Sequence, residues 1–466
     1  MRNHSPRGVH LSALIPAVAA TVAITVTSPA PAGAHDTFVD RLDGSDGSAE
    51  CRKSSPCATI GRGISKAGRG DTVFIGGDLF AYPTPVTLGH RKSLVHSDFS
   101  TNPAIDTSGY AQIDTGADPR PAITVASDAG RIKGLRINSE TTALEIHGSV
   151  AVKDNELLED DPMSGPVIDI APDASGPTVI RDNSIHDFTP VGPQVGIRNR
   201  WKGAPLIDDN ALSGFTTAIS TKGRPTIRRN DILDTHTGGG SSGEGIVVRR
   251  GEAAISHNSL TSPDTSGTPV TGMYIRGDAH LEDNVVRDYD LGIELKNTPH
   301  PVDLTGDVIR TIAGAGGTRG LAAIDDTDSR GVSDPHATNI TIVGPGTQMA
   351  LDSVRLRLDS SIIGDTPAGI MSLSGGSTCR ITYSRGPITG NSTDGCANFQ
   401  TKEDPVFGPD GYHLEAASPL IDKGNPKPPA GGAKDLDGDR RALDGPDGGD
   451  CNGASRRDIG ADEYAC

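Results

Sequence analysis

Between residues 143 and 297 the apolar positions follow an alternation of period two, and a single asparagine interrupts it again and again. The asparagine falls at Asn155, Asn183, Asn210, Asn230, Asn258 and Asn284, at spacings of 28, 27, 20, 28 and 26. Three residues before it stand Val152, Ile180, Ile207, Ile227, Ile255 and Leu281; two residues after it stand Leu157, Ile185, Leu212, Ile232, Leu260 and Val286. A second alignment, on a small residue further along each unit, puts Leu144, Ile168, Ile197, Ile219, Ile246, Met273 and Ile293 one place after it. Alternation of this kind is strand periodicity. Each unit therefore predicts three short strands: one before the asparagine, one after it, and one after the small residue.

Units of this length with several strands and no helix signal predict a solenoid. The L-x-x-L-x-L consensus of leucine-rich repeats is absent, and propeller blades are longer. The remaining architecture is all-β: a parallel β-helix, whose coils stack about 4.8 Å apart. Stacking requires the same type of residue at inward positions, not the same residue. The asparagine is read as the residue that takes the left-handed turn before the next strand, with its amide bonded to the amide one coil away in a ladder.

Composition supports a thin core. Aromatic residues make up 3% of the 466 and hydrophobic ones 34%, with 59 glycines and 33 prolines. The net charge of −17 argues against a general nucleic-acid binder, which needs a basic surface. Residues 1–34 read as a signal peptide: Arg2 and Arg7, an apolar run over 11–27, then "AGA" at 32–34. No later stretch is apolar enough to span a bilayer. The expected product is secreted, with no membrane span in the mature chain, and is taken as a monomer. An exported chain favours disulfides. Its six cysteines allow 15 pairings, and the simplest is local: Cys51–Cys57, Cys379–Cys396 and Cys451–Cys466.

At this point the residues resemble the right-handed parallel β-helix proteins of the pectate-lyase-like superfamily, over residues 37–375. "FVDRLDGSDGSAECRKSSPCATIGRGISKAGRGDTVFI" resembles the family's opening: an entry strand, a capping helix over Thr59 to Ala67, and a first coil strand. "DPVFGPDGYHLEAASPLIDKGNP", "DLDGDRRALDG" and "DIGADEY" resemble the C-terminal tail found on exported bacterial β-helix proteins and described as a choice-of-anchor domain. The implied organisation is a signal peptide over 1–34, cap and first coil over 35–80, β-helix over 81–375, and a cap or anchor-type tail over 376–466. The resemblance implies carbohydrate binding and leaves catalysis open. Hydrolases of this shape carry paired aspartates, G-H-G and R-I-K. Here "GRIKG" at 130–134 comes too early, "IDDTD" stands at 324–328, and no G-H-G occurs. A hydrolase pair cannot be placed. A lyase would use calcium-binding carboxylates and a base, for which Asp169 and Glu294 are the metal candidates. Asp435, Asp437 and Asp439 raise a second calcium question, but "DLDGDR" departs from the D-x-D-x-D-G pattern.

The strongest candidate site is a column. Four places after the small residue stand Arg200, Lys222, Arg249, Arg276 and Lys296, all basic. Like charges about 5 Å apart repel by up to roughly 0.8 kcal/mol per pair even in water. A polyanion lying along the helix axis would relieve that repulsion; so would Glu244, Glu252 and Asp278 nearby, and long basic side chains also cover turns at strand ends. Trp201 directly follows Arg200 and is the only tryptophan. The loops "LDTHTGGGSSGEG" and "TSPDTSGTPVTG" are candidate cleft walls. The reading is a secreted β-helix protein that recognises an acidic polysaccharide or cell-envelope glycan, with lyase-type cleavage as its extension and calcium as its candidate cofactor. The alternative is a non-catalytic surface or adhesive protein, which the scarcity of stacking rings favours.

Overall fold

The computed structural model describes residues 35–76, 81–97, 110–159, 165–187, 194–236, 243–262, 269–312, 318–325, 334–364, 370–386, 401, 403–426, 434–438 and 457–462. They form a right-handed parallel β-helix of three sheets. Strands before the asparagine make the first sheet, strands after it the second, and strands after the small residue the third. Pairing within each sheet is parallel and, apart from local shifts such as that between Thr221 and Lys222, in step, as in Val152↔Ile180, Leu157↔Ile185 and Ile168↔Ile197. Among the described residues the second sheet has 11 strands; the first and third merge into one of 25, because Glu244–Ser256 runs from the third into the first without a break.

The aliphatic columns are the core. Val152, Ile180, Ile207, Ile227, Ile255 and Leu281 have no exposed surface, nor have Ile168, Ile197, Ile219, Ile246, Met273 and Ile293. Full burial of one such side chain is worth about 1.5–3 kcal/mol. Two polar residues interrupt the third sheet's second column, Asn199 and Thr221, and they satisfy each other: Asn199 Nδ2 donates to Thr221 Oγ1 at 2.9 Å. The small residue has a steric cause. At Gly292 a Cβ would meet Ile309 Cγ2 at 2.2 Å and the Gly320 carbonyl oxygen at 2.6 Å.

The asparagine ladder is continuous. Each Nδ2 donates to the Oδ1 of the next coil at 2.9 Å, from Asn155 through Asn183, Asn210, Asn230 and Asn258 to Asn284. Each Nδ2 also donates to a carbonyl of the coil before, such as Asn210 to Ile180 at 3.0 Å. One expectation is corrected. The left-handed residue is not the asparagine but the one before it: Asp154, Asp182, Asp209, Arg229, His257 and Asp283 have φ of 53–55°. That twist turns the next side chain inward, and the inward amide is what builds the ladder.

The N-terminal end is closed as expected. Helix Ile60–Lys66 is N-capped by Thr59, whose hydroxyl accepts from Arg62 N, and the Cys51–Cys57 bridge lies beside it. Cys379 is also disulfide-bonded; Cys396, Cys451 and Cys466 lie outside the described residues. At the other end Arg385, 2% exposed, donates to the carbonyls of Ile363 and Glu403. The tail is more than an end cap. It folds back along the outer face of the second sheet: Leu414, Leu420, Ile421 and Ile459 cover Ile362, and Tyr412 and Ala461 cover Val285 and Val308. The signal-peptide segment 1–34 lies outside the described residues. No helix among those described is long and apolar enough to cross a membrane.

Candidate functional site

The corner from the third sheet to the first follows directly on the inward Ile170, Asn199, Thr221, Val248, Ile275 and Leu295. The next residues on successive coils are Ala171, Arg200, Lys222, Arg249, Arg276 and Lys296. The corner is tight: a Cβ on Gly251 would lie 2.0 Å from the Gly223 carbonyl oxygen, and both glycines have positive φ. Coils therefore pass close together, and the long basic side chains have only one direction to take, outward. Lys222, Arg249 and Arg276 are exposed.

The register alters the column in two places. A shift between Thr221 and Lys222 pairs Lys222 with Arg250, not with Arg249. Arg249 occupies the extra position, with its Nε on Ser220 Oγ at 3.3 Å, and exposed Arg250 joins the column, which sequence alignment missed. The adjacent arginines at 249–250 were the available signal. At the other end Arg200 is not open to a ligand in the same way. Its Nε donates to Asp169 Oδ1 at 3.1 Å, and Arg198 grips the same carboxylate through Nε–Oδ1 at 3.2 Å and Nη2–Oδ2 at 2.9 Å. Asp169, 4% exposed, is thereby committed to two guanidinium groups. A carboxylate already neutralised twice is a poor cation ligand, so its candidacy for calcium is withdrawn.

The acids expected to neutralise the column are mostly engaged elsewhere. Glu252 pairs with Arg224 at 2.6 Å, and Asp278 faces His300 at 3.8 Å. Glu244 stands near Arg249, one strand-length away on the same element. Among the described residues Lys222, Arg249, Arg250 and Arg276 form no ion pair; Lys296 does have a partner. The contrast with the corner between first and second sheets is direct. There Arg181 meets Asp182 at 3.2 Å, Arg228 meets Asp208 at 3.1 Å and Arg229 meets Asp209 at 3.1 Å.

On the flat of the third sheet the outward column Arg198, Ser220, Val247, Tyr274, Glu294 is in register. It is not an open floor: Val247 has no exposed surface and Ser220 is 7% exposed. Burial pushes the carboxyls of Glu244 and Glu294 above the usual carboxylate range, against the pull of Arg249 on the first and of Lys296 and Arg319 on the second. Glu294, half-buried, with a raised pKa and in register with Tyr274, suits proton transfer better than calcium binding. Trp201 is partly buried against the core, with its ring over Gly203 and its backbone N–H on Asn199 Oδ1 at 3.1 Å. The candidate cleft walls at 237–242 and 263–268, and "DTD" at 326–328, lie outside the described residues. "GRIKG" forms strand Arg131–Lys133 in the first sheet, paired with Ala151–Lys153 of the next coil.

The same corner continues toward the N-terminal coils. There a shallow depression of about 350 Å³ is lined by Arg69, His90, Arg91, Ser127, Asp128 and Ser175. Two more guanidinium groups thus stand on the line of the ridge.

No protein family matches the chain, and no curated protein matches it. Solved structures similar to it include XylC in complex with xylose, 11% identical over 75% of this chain and 83% of that one, with a TM-score of 0.40. Pectate lyase Pel9A is 11% identical over 93% and 98%, with a TM-score of 0.39. A rhamnogalacturonan lyase is 10% identical over 75% and 87%, with a TM-score of 0.33. At these values the likeness adds nothing to what the strand register already shows.

Proposed function

We propose that this β-helix protein acts outside the cell and binds an acidic polysaccharide along the corner between its third and first sheets. The observation that carries the reading is the ridge of Lys222, Arg249, Arg250 and Arg276. These are exposed cations on consecutive coils, without ion pairs among the described residues, in a chain of net charge −17. Such a ridge stores self-repulsion, and a linear polyanion of matching direction releases it. Arg200 and Lys296 extend the line at either end, and Trp201 lies beside its start. Glu244, Tyr274 and Glu294 are the residues on which cleavage would depend.

The test is affinity electrophoresis in gels containing polygalacturonate or a neutral glucan. The wild-type chain is expected to be retarded by the uronate polymer alone. Replacing Arg249→Gln and Arg276→Gln together should abolish most of the retardation with the circular dichroism spectrum unchanged, because both side chains point into solvent. Equal retardation by both polymers contradicts the reading. Ultraviolet absorbance of unsaturated uronate product, followed with and without calcium, decides between a lyase and a purely binding protein; a lyase should lose activity on Glu294→Gln.

A further inference from the structure

Away from the ridge, three separate segments of the C-terminal tail bring His413, Asp437 and Asp462 to one point. Their candidate ligand atoms all lie within 4.8 Å of one another. His413 Nε2 is 2.9 Å from Asp437 Oδ2 and 3.8 Å from Asp462 Oδ1. We propose that these three side chains bind one divalent transition-metal ion of the zinc or manganese type, which fastens the tail to itself.

Four observations converge on a metal and not on a mere acidic patch. The Nε2 atom has no exposed surface and makes no hydrogen bond, although two carboxylates face it. Asp462, whose side chain is 6% exposed, is carried to that atom from a distant part of the chain. Neither Asp437 nor Asp462 meets a lysine or arginine among the described residues, so the imidazole is the one positive partner they share. The ring itself is fixed from its other side. Nδ1 bonds Asp410 Oδ2, the Asp410 carboxylate also accepts the N–H groups of Tyr412 and His413 at 3.2 Å, and the Tyr412 ring lies 4.2 Å away. A carboxylate behind a histidine, orienting the free nitrogen toward a cation, is the usual support of a metal-ligating imidazole.

The donor set selects the ion. Calcium takes oxygen ligands alone, at longer distances and in larger number. One imidazole and two carboxylates suit zinc or manganese. Ligands about 2.0–2.2 Å from one such ion stand roughly 3–3.5 Å apart, which the 2.9 and 3.8 Å separations bracket. The carboxylates of Asp435 and Asp437 stand near that of Asp462 and repel it. A cation would relieve that repulsion. The "DLDGDR" run thus contributes Asp437 to a mixed site, not to a calcium hand.

The experiment is calorimetric titration of the chelator-stripped full chain with Zn²⁺, Mn²⁺ and Ca²⁺, alongside His413→Gln, Asp437→Asn and Asp410→Asn. The expected result is one Zn²⁺ or Mn²⁺ per chain, bound more tightly than Ca²⁺. Binding should be lost in His413→Gln and Asp437→Asn and weakened about 10–100-fold in Asp410→Asn. Near-ultraviolet circular dichroism checks that the variants remain folded; Asp437, 55% exposed, is the safer of the two ligand changes. Wild type and both ligand variants binding zinc alike would overturn the proposal. So would calcium binding that survives His413→Gln but not Asp437→Asn, since the imidazole would then play no part.

Discussion

Asp307 stands where the ladder ends, and it shows what an amide contributes there. Asn284 donates both its backbone N–H and its Nδ2 to Asp307 Oδ1, at 3.0 and 2.8 Å. Asp307 Oδ2 takes the place of an amide nitrogen and has no hydrogen-bond partner. Burial, opposed by the bonds from Asn284, pushes this carboxyl up to about 7. The folded state therefore binds a proton that the unfolded chain releases near its ordinary value of 3.8. The stabilisation is complete below that value and is lost as pH rises toward 7, a swing on the order of a few kcal/mol. Asp307→Asn should restore a donor and remove the swing, so the stability difference between variant and wild type should grow from pH 4 to pH 8 in urea unfolding. A constant difference would show that Asp307 is charged in the fold. His257 makes a second residue-scale case: it holds φ of 55° with an exposed side chain. His257→Gly should stabilise by up to about 1 kcal/mol, read from the same unfolding curves. The ladder was legible in the sequence because one residue type recurs. The left-handed position was not, because Asp, Arg and His share it without a common signature.

At the scale of the strand, the sequence showed which residues face inward, because a period of two leaves no other choice. It did not show where one coil carries an extra residue. The shift at Thr221/Lys222 puts Arg250 on the ridge, and nothing in an alternation marks it. Nor did it show that Asp169 answers Arg198 and Arg200 across coils, since a one-coil ion pair depends on register and side-chain reach together. The small residue opening the third strand was legible as a pattern, and the structure supplies its cause. Gly292→Val would drive methyl groups into Ile309 and the Gly320 carbonyl. It should destabilise by about 1–3 kcal/mol or more, visible as a lower thermal midpoint, whereas a valine in place of exposed Ala211, on the outer face of the second sheet, should be nearly silent.

For the whole molecule, the solenoid sets one long straight line of side chains per corner, and among the described residues the corner from third to first sheet leaves a run of exposed cations that form no ion pair. The described part of the tail packs on the outer face of the second sheet, at Val285, Val308 and Ile362. This lateral packing was beyond the sequence, because contacts between residues 100 and more apart, such as Asn339 Nδ2 with the Asp458 carbonyl, have no period. The exposed charges predict binding that salt weakens. The most direct measurement is calorimetric titration of the wild-type chain with oligogalacturonates, at low and at high salt, with the Arg249→Gln, Arg276→Gln double variant beside it. The account predicts heat with the acidic oligomer only, an affinity that falls steeply with salt, and a double variant that binds weakly and with a shallower salt dependence. Silence with acidic oligomers, or binding that neither salt nor the double substitution changes, would contradict it.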